Sequence, residues 1–544
     1  MSYVYEEHFP YDSVRVEQES AINFALDQFL KEGKKYVILE LGTGCGKSGV
    51  GLALARYLRA KDPRPDDFEV GAYFLTTQKV LQDQYAKDFG PGSGGAMRSI
   101  KSSSNYTCSF HKRQSCNESR QLLKGEPKNT KFFKSCAFNC KYKIAKDDFI
   151  KSAESITNFP YFLTEATFSG QIKPRHVLVI DEAHNIEPEL SKFIEVTVSE
   201  YFADKVLKLS MPKYLNTQKQ AVDWIKDVYF AKLITHLSHV EKMMKKYQGL
   251  EEKVKEIANI SRQIDLLKSH KTKIETFLAV YDKDNWVMNI IEGSGRSLRK
   301  IEFKAIDVGP FAKEYLFRMG HRIVMMSATI LSKDAFCESL GIPREEAGFI
   351  SIPTPFPIEN RPIFYAPVGR MSRASIDQSL PKLVEAIKAI LDNHPNEKGI
   401  IHAHTFKIAQ YLKDRIKSKR IMIHDSSNRE EILRKHVQAK DPTVLISPSM
   451  TEGVDLKGDS SRFQIICKIP YPYLGDKLCK KRMNKWKWWY PTQTAKTIVQ
   501  AVGRSIRSTD DHAVTYILDE DWGRFYGQNK SLFPSSFRDA LQNI

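Results

Sequence analysis

Short apolar runs alternate with helical patterns in two separate parts of the chain. Runs of strand length occur at 36–40, 72–76, 177–180, 323–326, 399–402, 443–446 and 463–469. Runs that are apolar at nearly every position are typical of parallel strands buried on both faces, and their alternation with helices is typical of doubly wound sheets. The pattern therefore predicts an α/β fold with two doubly wound parallel sheets.

A polar, helical region separates the two α/β blocks. Residues 206–305 contain one apolar stripe with steps of three or four residues, formed by Leu250, Val254, Ile257, Ile260, Ile264 and Leu267. This period favours the core of a helical hairpin over a binding surface. The proline-rich segment 352–357 is incompatible with a helix and is predicted to link the two blocks.

The first block contains a phosphate-binding motif. The sequence Glu-Leu-Gly-Thr-Gly-Cys-Gly-Lys-Ser at 40–48 follows a predicted buried strand. Its glycines allow backbone N–H groups to approach phosphates closely, with a helix N-terminus behind them. Lys47 is expected to reach the β- and γ-phosphates of ATP, and the Ser48 hydroxyl to bind Mg²⁺. The other predicted nucleotide-binding residues of the loop are Gly42, Thr43, Gly44 and Gly46.

An acidic motif follows a second buried strand. Asp181 and Glu182 begin the sequence Asp-Glu-Ala-His directly after the run 177–180. Sheets of this kind bind ligands at the carboxyl ends of their strands. We therefore expect Asp181 to hold Mg²⁺ and Glu182 to polarise the attacking water. The tetrapeptide alone could be a helix N-cap, but together with the phosphate loop it predicts an ATPase.

The second block adds further candidate residues for the same reaction. Arg504 and Arg507 are three residues apart and share a helix face, so both are expected to stabilise charge that develops on the phosphates. Gln500, one turn earlier, and Asp455, in the loop 449–456, are expected to contact the nucleotide. Catalysis then requires both blocks.

Four cysteines lie between the phosphate loop and the acidic motif, at Cys108, Cys116, Cys136 and Cys140. The surrounding segment 101–151 has twelve Lys or Arg against four Asp or Glu and few long apolar runs. A small segment without a core needs a stabilising cross-link, which a metal site supplies. Four thiolates suit either zinc or a cubane cluster, and free thiols are the third alternative.

The composition indicates which kind of partner and which cellular compartment to expect for this protein. The 544 residues have a formal net charge of +18. A charge of this size favours a polyanionic partner such as nucleic acid over the alternative that the charge serves only solubility. Eight cysteines are too few for a disulfide framework, and the acidic N-terminus lacks the apolar core of a signal peptide. We therefore predict a cytoplasmic or nuclear protein without a membrane span.

The motifs, in this order, resemble the XPD/Rad3–DinG-type superfamily 2 helicases, which carry iron–sulfur clusters. The resemblance rests on residues 42–48, 181–184, 327–329, 452–456 and 500–507, and on the segments 104–108 and 158–163. Arg15 and Gln18 resemble the adenine-contacting motif of this family. The resemblance implies ATP and Mg²⁺ as cofactors, and a 4Fe–4S cluster held by the four cysteines. It also implies a monomer that moves 5′ to 3′ on single-stranded DNA and unwinds forked duplexes.

The resemblance also divides the chain into two RecA-like motor domains with two insertions in the first. Motor domain 1 is expected at 1–100, 151–205 and 306–345, and motor domain 2 at 346–544. The iron–sulfur domain is expected at 101–150 and a helical arch at 206–305. An ATPase switch stimulated by nucleic acid, or a remodeller of RNA–DNA hybrids, stays open as the alternative to a helicase.

A basic, aromatic segment at 480–490 has two interpretations. It contains three of the six tryptophans of the chain among five Lys or Arg residues. Such rings can stack on the bases of a single strand, or Trp486 and Trp489 can pack a helix onto the second motor domain.

Overall fold

The computed structural model describes residues 3–124, 126–247, 253–293, 298–425, 427–448, 456, 458–506 and 508–543. Its strands are Tyr36–Leu41 (β1), Glu69–Thr76 (β2), Arg98–Ser99 (β3), Glu154–Asn158 (β4), Arg175–Asp181 (β5), Val196–Ser199 (β6), Trp286–Ile291 (β7), Lys300–Ala305 (β8), Gly320–Ser327 (β9), Ala347–Ile352 (β10), Ile363–Gly369 (β11), Gly399–His402 (β12), Ile421–Ile423 (β13), Val444–Ser447 (β14), Phe463–Ile466 (β15), Val514–Asp519 (β16) and Leu541–Asn543 (β17).

The helices begin with α1 (Val16–Leu26), α2 (Lys47–Lys61), α3 (Lys79–Phe89), α4 (Cys116–Leu123), α5 (Lys131–Phe138), α6 (Lys141–Lys151), α7 (Phe159–Phe168), α8 (Ile186–Ile194), α9 (Gln218–Trp224), α10 (Phe230–Tyr247) and α11 (Val254–Val280). They continue with α12 (Gly309–Phe311), α13 (Lys333–Leu340), α14 (Ile376–Asn393), α15 (Phe406–Arg415), α16 (Arg429–Gln438), α17 (Lys477–Lys485), α18 (Trp489–Val502), α19 (Asp521–Asn529) and α20 (Ser535–Ala540).

Two seven-stranded sheets organise the described residues. The first has the strand order β10-β1-β9-β5-β2-β4-β3 and the second β13-β14-β12-β15-β16-β11-β17, and every pairing within them is parallel. All residues of β1 and β5 are buried, as expected for strands covered by helices on both faces. The predicted α/β fold with two parallel sheets is confirmed.

The first sheet brings three motifs together. Strand β9 lies between β1 and β5, and all three run in the same direction. The phosphate loop leaves the carboxyl end of β1, the Asp-Glu-Ala-His motif leaves β5, and Ser327-Ala328-Thr329 leaves β9. Motifs that are far apart in the sequence therefore meet at one edge of the sheet.

Two insertions extend from the first sheet. The one that contains the cysteines has three helices, α4 to α6, and the other has a hairpin of α10 and α11. Four stripe residues are buried, which confirms the core interpretation for them: Ile257, Ile260, Ile264 and Leu267. Leu250 lies outside the described residues. The two insertions touch where Gln121 of α4 donates a hydrogen bond to Asp265 of α11 at 2.8 Å.

The domain boundaries differ from the prediction in two places. Strand β10 pairs with β1, so the first sheet extends to Ile352 rather than ending at 345. The reason is the proline-rich segment, which starts at Pro353 and makes the break between the two sheets. In addition, the region 206–305 is not wholly helical. It ends in β7 and β8, which form an antiparallel sheet with β6 from the preceding segment.

Among the residues described here, no helix combines the length and the apolar character that crossing a membrane requires.

Candidate nucleotide-binding and metal sites

Two glycines of the phosphate loop have a left-handed backbone conformation. Gly46, the N-cap of α2, has φ of +72°, and Gly44 has φ of +92°. Residues with a side chain rarely adopt these angles, so glycine is required at both positions. Lys47 and Ser48 follow as the first two residues of α2, at the helix end that favours anions.

Arg15 and Gln18, the predicted adenine contacts, lie against the phosphate loop itself. The Arg15 guanidinium donates to the Gly44 carbonyl at 2.8 Å, and the Gln18 amide donates to the Gly46 carbonyl at 3.4 Å. Both side chains therefore brace the loop. A contact of either with adenine stays a prediction.

The linker between the two domains also contacts the phosphate loop. The Gly42 N–H donates to the Ile352 carbonyl at 3.0 Å, and the Thr354 hydroxyl donates to the Thr43 carbonyl at 2.7 Å. A Cβ atom added to Gly44 would lie 2.3 Å from Cζ of Phe356. The sequence pattern predicted a linker here, and its contacts with the phosphate loop are a finding of the structure.

The acidic motif is held by a tyrosine that the sequence analysis did not identify. The Tyr85 hydroxyl of α3 donates to Oδ2 of Asp181 at 2.9 Å, and the Glu182 N–H donates to Oδ1 at 2.9 Å. Burial, followed by the charge of Glu182, raises the pKa of Asp181 to about 6. A bound cation would favour the ionised form of this carboxylate, which suits a magnesium ligand.

Hydrogen bonds connect the motifs of the first domain to the second domain. His184 Nδ1 lies 2.8 Å from the Ser327 hydroxyl and 3.3 Å from the Glu182 carboxylate. Burial lowers the pKa of His184 to about 4, so the ring is neutral at pH 7. Two residues after Ser327, the Thr329 hydroxyl accepts a hydrogen bond from the Gln500 amide at 3.3 Å. Thr329 belongs to the first domain and Gln500 to the second.

A cleft of about 200 Å³ lies between the two parallel sheets. The first domain contributes predicted residues Gly42, Thr43 and Glu182, and the second contributes Gln500 and Arg504. The structure thus brings five of the predicted residues to one cavity. Arg507 and Asp455 lie outside the described residues.

The four cysteines of the first insertion line a second cavity, of about 440 Å³. The sulfur atoms of Cys116 and Cys140 are 3.8 Å apart, and none of the four cysteines forms a disulfide. Burial, followed by the neighbouring Cys140, raises the pKa of Cys116 to about 12. Four thiols around one cavity fit a metal site, and metal binding would displace their protons.

Two parts of the chain match known protein families. Residues 12–211 match the type III restriction enzyme res-subunit family, and residues 401–540 match the helicase C-terminal domain family. The chain is 24% identical to the ATP-dependent DNA helicase YoaA of Escherichia coli over 38% of this chain and 34% of YoaA. It is 22% identical to the ATP-dependent DNA helicase DinG of Photobacterium profundum over 40% of this chain and 34% of DinG. The chain thus spans about a third of the length of these curated relatives.

A solved XPD helicase structure has the same fold. It aligns with a TM-score of 0.64 at 15% identity, over 98% of this chain and 100% of that structure. The two family matches, the curated relatives and this fold together support a likeness to the XPD/DinG-like superfamily 2 helicases. In this XPD/DinG-like chain, the predicted phosphate loop and acidic motif lie within one family match, and the predicted Gln500 and Arg504 lie within the other.

The aromatic segment of this XPD/DinG-like chain packs between domains. Trp486 and Trp489 are buried, which favours the packing interpretation for both rings. The indole N–H of Trp488 donates to Glu338 of the first domain at 2.8 Å. Arg482 reaches the same domain, where it donates to the Ile306 carbonyl at 2.9 Å.

Proposed function

We propose that this protein is an ATP-dependent DNA helicase that moves 5′ to 3′ on single-stranded DNA and unwinds forked duplexes. The observation that carries the proposal is the interdomain cleft, which joins the phosphate loop and Glu182 of one domain to Gln500 and Arg504 of the other. A nucleotide held there contacts both domains. Its hydrolysis therefore changes how they sit against each other, which is the step that a motor requires.

Each residue has a role in hydrolysis under this proposal. Lys47 and the loop N–H groups bind the phosphates, and Ser48 and Asp181 hold Mg²⁺, which would neutralise phosphate charge when bound. Glu182 orients the attacking water and accepts its proton. Arg504 stabilises the charge that develops on the transferred phosphate, and Arg507 is proposed to do the same.

Three observations support DNA as the substrate. The curated relatives YoaA and DinG are named DNA helicases. The net charge of +18 favours a polyanion. The contact between Gln121 and Asp265 joins the cysteine-rich insertion to the helical arch, as expected if the two insertions together guide a strand. A monomer in the cytoplasm or nucleus is part of the proposal.

Strand displacement tests the proposed motor. Anaerobically purified protein is given ATP, Mg²⁺ and duplexes with either a 5′ or a 3′ tail, and the Lys47→Ala variant is the matched control. We expect wild-type protein to unwind only the 5′-tailed duplex and the variant to unwind neither. Unwinding of only the 3′-tailed duplex would overturn the polarity. ATPase activity without unwinding would favour the switch, and unwinding restricted to RNA–DNA hybrids would favour the remodeller.

We also propose that the four cysteines hold a 4Fe–4S cluster, which would cross-link the small insertion. The lining of one cavity by all four thiols supports this donor set. Metal analysis and visible absorption of anaerobic protein test it. Roughly four iron atoms per chain, a broad absorption band in the visible range and loss of both in Cys116→Ser are expected. One zinc ion without colour would instead identify a structural zinc site.

A further inference from the structure

Tyr85 contacts the predicted magnesium ligand Asp181 without belonging to any of the motifs. It is on α3, with only 1% of its surface exposed, and its ring packs against Phe74 and Phe89 with centroid distances of 6.2 and 5.7 Å. A ring that served only to fill the core would not need its hydroxyl. A buried hydroxyl is costly unless it is hydrogen-bonded, so the partners of this one indicate why it is present.

Its hydrogen-bond partner is the predicted magnesium ligand Asp181. The Tyr85 hydroxyl donates to Oδ2 of Asp181 at 2.9 Å. Because the single phenolic proton goes to Asp181, the carboxylate oxygen is held in place as the acceptor.

This hydrogen bond restrains the orientation of the ligand. The Asp181 carboxylate is restrained on both oxygens, by Tyr85 on Oδ2 and by the Glu182 N–H on Oδ1. Partners of this kind, which orient metal ligands without touching the metal, strongly affect metal affinity.

We propose that Tyr85 is a positioning residue for Mg²⁺, which aligns Asp181 through its hydroxyl. The inference rests on the proposed function, since it assumes that Mg²⁺ binds with the nucleotide. It concerns a residue of the sheet-packing helix α3 rather than of the motifs. Loss of the hydroxyl leaves the phosphate loop itself unchanged, so nucleotide binding without metal is expected to persist.

The test compares Tyr85→Phe with Tyr73→Phe, and it reads out binding rather than activity. Tyr73 is a matched control because it is also buried and its hydroxyl donates to the Lys173 carbonyl at 3.0 Å, away from the site. The unfolding temperature is measured with ADP alone and with ADP during a Mg²⁺ titration. We expect all three proteins to respond equally to ADP alone, and Tyr85→Phe to need roughly 10- to 100-fold more Mg²⁺ for half of the additional rise.

A second background separates positioning from general loosening of the core. In Asp181→Asn, the carboxylate that Tyr85 restrains is already absent, so adding Tyr85→Phe is expected to change the Mg²⁺ midpoint by less than it does in wild-type protein. The role of Tyr85 would be overturned if Tyr85→Phe had the same Mg²⁺ midpoint as the wild-type protein. It would also be overturned if the effects of the two substitutions were fully additive in the double variant. No response of the wild-type protein to ADP, with or without Mg²⁺, would instead overturn the proposed function on which it rests.

Discussion

The contact around Arg482 gives a stability prediction that can be worked out from the structure. This guanidinium of α17, in the second domain, donates to the carbonyls of Ile306 at 2.9 Å and Ala305 at 3.2 Å, and it pairs with Glu187 of α8. Arg482 is 6% exposed. Removing one partner of a buried pair costs about 3–5 kcal/mol, because the other charge is left without compensation. We therefore expect Arg482→Met to weaken this interface by that amount.

Urea unfolding of four proteins measures the effect: wild type, Arg482→Met, Glu187→Gln and the double variant. A chain with several domains need not unfold in one step, so the first transition is analysed. The double variant should be more stable than the sum of the single effects predicts, since it leaves no uncompensated charge. Arg370→Met is the control, because Arg370 is 54% exposed and lies 3.6 Å from Glu520. A loss below about 1 kcal/mol for Arg482→Met, or additive effects, would refute the reasoning.

Three further perturbations test other parts of the protein. Thr329→Val removes the hydrogen bond from Gln500, and we expect steady-state assays to show reduced ATP hydrolysis while the unfolding temperature stays near the wild-type value. Gly44→Ala places a methyl group against Phe356 at an unfavourable φ, so fluorescence titration should show loss of ATP binding, and near-normal binding would contradict this geometry. Acid should destabilise the protein, because burial lowers the pKa of His270 and His436 to about 4, below the value of about 6.5 expected in the unfolded chain. Between these pH values the unfolded chain binds more protons, so urea midpoints should fall as the pH falls from about 6.5 to 4, and less steeply in His436→Gln.

The sequence was sufficient to predict the parts of the site that depend on local patterns. Apolar runs predicted the buried strands, and the glycines at 42–46 predicted a phosphate loop, in which Gly44 and Gly46 have positive φ. The linker was also predictable, because prolines at every second position, 353, 355 and 357, exclude regular structure. The boundary at 345 was less accurate, since β10 pairs with β1, more than 300 residues earlier in the chain.

Contacts between distant residues could not be predicted in this way. Tyr85 follows an ordinary helical pattern, and nothing local indicates that its hydroxyl meets Asp181, 96 residues later. Arg482 stands in a run of basic residues that is equally typical of a solvated surface. Its burial depends on carbonyls at the end of β8, and these carbonyls become its neighbours only when the two domains pack together.

The contacts between the two domains differ in strength, and this difference bears on how the motor would open. At the cleft, Thr329 and Gln500 share one neutral hydrogen bond of 3.3 Å, which contributes about 1 kcal/mol. At α17, Arg482 pairs with Glu187 and donates to the carbonyls of Ile306 and Ala305, and Lys485 adds an ion pair with Asp307 at 2.7 Å. The attachment at α17 thus has more bonds than the single Thr329–Gln500 contact, so we expect this hydrogen bond to break while α17 stays attached. Hydrogen exchange with and without a bound ATP analogue should then change the protection of the residues around Gln500 and leave α17 unchanged. Equal changes at both places would show that the domains separate as a whole.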